Sequence, residues 1–249
     1  MSLYAGALPS PQYQPADRRV AVVQSNYIPW KGYFDIIQAV DEFILFDDVQ
    51  YTRRDWRNRN VIKTAQGPAW LTIPVNTKGQ YLAAIKDITV SDPGWAARHW
   101  KALVASYGAA PYFKAYRELF QELYLDCRES HLSAINHRFL SAICRLLGIG
   151  TRLRWSMDLG PGHLQVDKTE RLVALCLRAG ATSYLSGPTA REYLREEPFA
   201  REGVELVWAS YEGYRAYPQL HGAFEHNVSV LDLIFNTGPE APRYMLGAR

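Results

Sequence analysis

The chain has 249 residues, of which 48% are hydrophobic and 21% charged, and a formal net charge of +3. That length suits one large α/β unit or one unit with a smaller lobe, and the composition excludes a disordered or fibrous chain. A charge this small does not by itself point to nucleic acid, whose binding calls for a concentrated basic face. Cys127, Cys144 and Cys176 lie far apart without CxxC spacing. They argue against a disulfide framework or a zinc knuckle and for a reducing, cytoplasmic compartment. No apolar window approaches 18 residues, so no membrane span is expected. Residues 1–17, rich in Pro, Ser and Gly, read as a flexible leader, and no secretory signal pattern is present in them.

Arg19–Ser25 (RVAVVQS) is a short apolar run fit for a buried parallel strand. A turn-like NYIPWKG follows, then a helix over Tyr33–Val40 with Phe34, Ile37 and Val40 at helical spacing. A second strand, Glu42–Phe46, ends at Asp47–Asp48. Strand, glycine loop, helix and strand in so few residues make a βαβ unit. The polar stretch from Asp47 to Thr64 predicts an ordered loop or short hairpin. Trp70–Val75 and the alternating Ala83–Val90 predict strands. Three amphipathic helices follow, one after Trp95, one from Phe113 and one from Leu132, closing on Gly148. Further strands are expected at TRLRWS, TSYLSG and VELVWASYE, with helices at KTERLVALCLRAGA, TAREYL and SVLDLIFNTG. The fold class is α/β, a mainly parallel, Rossmann-like sheet with an inserted helical region. Residues 18–249 are expected to form one domain with a helical lobe at about 95–148.

Four segments can carry chemistry. In Gln24–Asp35, a loop leaves a strand's carboxyl end and enters a helix, the position where open α/β sheets bind ligands. Gln24, Asn26, Tyr27, Trp30 and Tyr33 are its candidate contacts, and Gly32 permits close approach to free N–H groups at the helix start. The competing role is a Pro-Trp plug packing the loop on the sheet. Asp47 and Asp48 can act as general base or anchor a hydroxyl, with Gln50 beside them, or can serve only as cap and ion pair. Arg54, Arg57, Arg59 and Lys63, interleaved with Trp56 and Asn58, suit phosphate or carboxylate recognition, or are simply a solvated charged loop. Ser186 and Gly187 repeat the strand-to-glycine-turn arrangement, and Gly160–Thr169 is a similar loop entering a helix. The scattered histidines give no metal-ligating pattern, no P-loop or GxSxG is present, and the sequence leaves any cofactor open.

The motifs Q-x-N-Y-I-P-W-x-G-Y-F-D (Gln24–Asp35), F-D-D-V-Q-Y (Phe46–Tyr51) and W-R-N-R-N-x-I-K (Trp56–Lys63) resemble those of the WbqC-like family. So do Y-G-x-A-P-Y-F (Tyr107–Phe113), S-G-x-x-A-R-E-Y-L (Ser186–Leu194) and S-V-L-D-L-I-F-N-x-G (Ser229–Gly238). The N-terminal layout is also similar to the HIGH-type nucleotidylyltransferases of the HUP-like fold, with Trp30-Lys31-Gly32-Tyr33 standing where those carry His-x-Gly-His. Both histidines are absent here. The family resemblance implies a setting in O-antigen and other bacterial surface-polysaccharide gene clusters, and a role in modifying a nucleotide-linked sugar, for example by acylating an amino sugar. The expected partner is a small molecule, phosphorylated or nucleotide-linked, and oligomerisation is compatible with this. The leading expectation is a transferase using Asp47 or Asp48 as base. The alternatives are a non-catalytic sugar-nucleotide-binding or assembly protein and, less favoured, an RNA-binding protein using the Arg-Trp segment.

Overall fold

The structure, a computed structural model, describes residues 17–160 and 167–247. The expected leader, apart from Asp17, and the Pro161-Gly162-His163 part of the glycine loop lie outside those residues. In chain order, β1 (Arg19–Val23) leads through α1 (Lys31–Gln38) into β2 (Glu42–Leu45). The antiparallel pair β3 (Arg59–Thr64) and β4 (Gly67–Thr72) stands apart as a two-stranded ribbon. Then come α2 (Trp95–Tyr107), α3 (Phe113–Leu125) and α4 (Leu132–Leu146), followed by β5 (Arg152–Trp155) and α5 (Lys168–Arg178). The chain closes with β6 (Ser183–Ser186), α6 (Glu197–Arg201), β7 (Glu205–Trp208) and α7 (Val230–Thr237).

The main sheet has the order β5-β2-β1-β6-β7, and every pairing in it is parallel. The expected βαβ unit is present, with Val20 opposite Glu42 and Val23 opposite Leu45. Alternation along each strand divides the core. Ala21, Phe43 and Leu45 face one layer, shared with α1, the three inserted helices and α7. Val20, Val22 and Ile44 face the other, packed under α5 and Phe199. A parallel sheet covered on both faces requires the near-continuous apolar runs seen in β1 and β2. Burial pushes the thiols of Cys127, Cys144 and Cys176 up to about 12, so all three stay protonated near neutral pH.

Several elements differ from expectation. The segment Ala83–Val90 is not a strand. It holds one 3-10 turn at Ile85–Asp87, and Ile85 and Ile88, both buried, face the core three residues apart. Its backbone bonds go to the loop after β2, with Ile85 N–H donating to the Val49 carbonyl (2.9 Å) and Lys86 N–H to that of Asp47 (2.8 Å). Strand β4 begins at Gly67 and ends at Thr72, ahead of Pro74, which lacks the N–H a ladder needs. Helix α1 starts at Lys31, so Gly32 lies inside it. The helix expected at TAREYL is a short 3-10 turn over Pro188–Glu192, with Gly187 in the N-cap position and no side-chain cap.

Candidate functional site

Counted along the chain, the strands of the main sheet lie 3-2-1-4-5. The direction of winding reverses between β1 and β6, and the crevice at their carboxyl ends is where such sheets bind ligands. The loop after β1 borders a cleft of about 190 Å³ lined by Asn26, Pro29, Trp30, Trp56, Asn60 and Asn227. Two indoles and three carboxamides make a wall suited to a flat or hydroxyl-rich ligand.

That loop is held from three sides. Tyr27 N–H donates to the Trp56 carbonyl (3.1 Å), Asn60 Nδ2 to the Tyr27 carbonyl (3.1 Å), and Val230 N–H to the Pro29 carbonyl (2.9 Å). These bonds fix Ile28 at φ 37, a left-handed conformation in a β-branched residue that precedes proline. Backbone of this kind costs on the order of 1–3 kcal/mol and persists only where its surroundings over-determine it. Burial of Ile28, together with these bonds, does so here.

Trp30 packs edge-on against Tyr211 (5.0 Å) and Tyr214 (5.6 Å). Gly32 is required by that indole rather than by a ligand, since a Cβ there would lie 2.3 Å from a Trp30 ring carbon. Tyr33 points into the core against Phe43 and donates from its hydroxyl to the Gln24 carbonyl (2.9 Å), so it shapes the loop from below. Tyr27 is likewise fully buried, and its hydroxyl bonds His99 Nδ1 and the Tyr124 hydroxyl, each at 2.9 Å.

The acidic pair divides by environment. Asp47 is fully buried. One carboxylate oxygen accepts from Ser25 N–H (2.8 Å), and the other from the Ser133 hydroxyl, which itself accepts from Trp155 Nε1 (3.0 Å). Burial raises the Asp47 carboxyl above its ordinary value, and the bonds from Ser133 and Ser25 oppose the rise. Asp48 is half-buried and accepts from the Ser156 hydroxyl (2.7 Å). Asn136 couples Asp47 to the cleft: its Nδ2 donates to Ser25 Oγ and to the Arg57 carbonyl, both at 2.9 Å. Arg57 in turn donates to Asn26 Oδ1 and, at 3.5 Å, to the Gln24 carbonyl. Its buried Nε has no partner among the described residues, a donor beside the cleft wall.

The basic residues singled out in the sequence do not converge on one point. Arg57 meets the cleft only through its bond to Asn26, whereas Arg59 lies over the Trp70 ring (4.2 Å) and Arg54 is exposed at φ 58. Lys63 belongs to a separate buried cluster, donating to Gln219 Oε1 (2.6 Å) and to the Ala223 carbonyl. Asn58 braces the hairpin through Nδ2 to the Ile73 carbonyl (2.8 Å), and Gln50 bonds the Tyr81 carbonyl (2.7 Å). Ser186 and Gly187 end β6 across the switch point, with the Tyr211 hydroxyl close to Gly187. Asn227, contributed from far along the chain, is a wall residue that no local pattern reveals.

Lys31 also went unassigned in the sequence. It is 3% exposed, its ammonium lies 4.5 Å from the Tyr214 ring centre and 5.2 Å from that of Tyr217, and burial lowers it to about 8. Between about pH 8 and its ordinary 10.5 the unfolded chain holds a proton that the folded chain has released. This residue's contribution to stability therefore rises with pH across that window. Lys31→Met should flatten that slope relative to wild type when denaturant midpoints are followed over the same range. An unchanged slope would place the amine in water.

The family model described as the WbqC-like protein family matches residues 24–244. A Mycobacterium tuberculosis protein described as "Uncharacterized protein Rv1507c" is 50% identical over 230 residues, spanning 92% of this chain and 97% of its own length. No solved structure matches the chain.

Proposed function

The chain belongs to the WbqC-like protein family, and from that premise we propose that it is a cytoplasmic transferase acting on a nucleotide-activated sugar or a related phosphorylated metabolite in bacterial surface-polysaccharide biosynthesis. The observation that carries this proposal is the cleft beside the loop after β1, walled by Trp30, Trp56, Asn26, Asn60 and Asn227. Indole faces suit a sugar ring or base, and carboxamides offer both donors and acceptors to hydroxyl groups. Arg57, whose terminal guanidinium donates to the wall residue Asn26, is within this proposal the charged donor to a phosphate oxygen.

Within this proposal the acidic pair takes two roles. Asp48, the more exposed carboxylate, is the general base. Asp47, with both oxygens already accepting hydrogen bonds, positions Ser25 and through Asn136 the Arg57 backbone. The full engagement of Asp47 also supports a second reading, a binding protein without turnover. No helix of the described residues is long and apolar enough to cross a membrane.

A thermal-shift panel of uridine, guanosine and thymidine diphosphate sugars tests the ligand class. A ligand at about 100 times its Kd stabilises by about 2.7 kcal/mol, a rise of roughly 5–10 °C for a chain of this size. With a responding sugar nucleotide in hand, Asp48→Asn should lower kcat at least about 10²-fold while affinity is kept. Full turnover in that variant removes Asp48 as the base. A panel without any response removes the ligand class.

A further inference from the structure

We propose that a strip of alternating rings and guanidinium groups, running from the β3–β4 hairpin to the loop carrying Tyr81 and Leu82, docks on an anionic membrane surface. The strip is continuous by contact. Trp56 lies 5.4 Å from Trp70, Arg59 covers Trp70 at 4.2 Å and donates to the Arg54 carbonyl, and the neighbouring Arg53 covers Tyr81 at 5.1 Å. Arg53 also donates to the Thr77 carbonyl (2.7 Å), tying the loop to the arginine segment. At the loop's end Leu82 is 85% exposed and Tyr81 71% exposed, while Trp56 and Trp70 are each more than two-fifths exposed.

Scattered apolar side chains on a surface need no explanation, but a contiguous row at this exposure marks an interaction site. Charge and chemistry select the occupant. Asp55, the acid inside the arginine run, is engaged by Thr52 and Arg57, so the strip presents net positive charge from Arg53, Arg54 and Arg59. Tryptophan and tyrosine favour the headgroup level of a bilayer, basic residues meet its phosphates, and a protruding leucine gains by entering the acyl boundary. A nucleic acid would use the rings and the arginines but has nothing to offer Leu82. The strip meets the cleft only at Trp56, and its role holds whatever ligand the cleft takes.

Flotation of the whole protein with vesicles of phosphatidylcholine, alone or mixed with phosphatidylglycerol, tests the proposal. Binding should require phosphatidylglycerol and weaken as salt screens it. Each arginine at such a surface multiplies partitioning roughly fivefold, so Arg53→Gln with Arg59→Gln should weaken binding roughly 25-fold, and lysine at both positions should restore most of it. Tyr81→Asp with Leu82→Asp should weaken binding at least about tenfold. Both positions are exposed, so the thermal midpoint should stay within about 1–2 °C of wild type. Failure to float with either vesicle, equal flotation with both, or binding unmoved by the Tyr81/Leu82 pair would overturn the proposal. So would tight binding of single-stranded RNA through the same arginines without vesicle binding.

Discussion

Replacing Asp47 with alanine should lower the stability of the folded chain by about 3–5 kcal/mol, the combined effect of leaving two buried donors unpaired. The carboxylate accepts from Ser25 N–H and from the Ser133 hydroxyl with no solvent nearby, and its removal leaves both donors buried and unpaired. For a chain of this length the thermal midpoint should fall by roughly 6–20 °C. Asp47→Asn retains one acceptor oxygen and should cost less, about 1–3 kcal/mol. The pH dependence separates the two effects. Because burial raises the folded carboxyl above its ordinary 3.8, the folded state holds its proton where the unfolded state has lost it. The residue's contribution therefore declines as pH rises from 3.8 through the folded value, and Asp47→Asn should lack that decline. A midpoint unchanged by Asp47→Ala would mean that the loop after β1 is held without this residue.

Asp232→Ala should have an effect of similar size by a different route. Asp232 lies in the first turn of α7, 1% exposed, and accepts from the hydroxyls of Tyr107 (3.0 Å) and Tyr217 (2.9 Å) and from Gln219 Nε2 (2.8 Å). Gln219 keeps its bond to the Glu225 carbonyl, but the change leaves the Tyr107 and Tyr217 hydroxyls buried without an acceptor and the buried Lys63 ammonium without its countercharge. A loss of about 3–5 kcal/mol in denaturant unfolding follows. The same network holds the segment that carries Asn227 against β3, through Ser229 N–H to the Val61 carbonyl (2.8 Å). Cleft affinity should therefore fall at ligand concentrations and temperatures where the variant is still folded. Unaltered stability would show that Lys63 and Gln219 support each other without the carboxylate.

The β1–α1–β2 unit was legible because its signals are local: two short apolar runs, a glycine-bearing loop and a helical spacing between them. The position of the candidate site followed from that unit, since ligand crevices lie at strand carboxyl ends. Ala83–Val90 misled because its β-branched residues suit a strand by type, whereas Ile85 and Ile88, three apart, would lie on opposite faces of a strand but share one face of a 3-10 turn. Strand β3 was masked by buried polar side chains, Asn60 and Lys63, whose partners come from Tyr27 and from Gln219 and Ala223, far along the chain. For the same reason the sequence could mark Asp47 and Asp48 together but not separate them. The difference depends on Ser133 and Asn136 of α4, which meet the loop only once the inserted helices are packed. At Gly32, expected to let a ligand approach, the group in close contact is the Trp30 indole.

The most direct test of the cleft is a crystal structure of the protein soaked with a uridine diphosphate sugar that raises its thermal midpoint. Density for the ring between Trp30 and Trp56, with a phosphate oxygen within hydrogen-bond reach of the terminal guanidinium nitrogens of Arg57, is the expected result. Density for the same molecule away from this cleft, with the two indoles and the three carboxamides untouched, would contradict it.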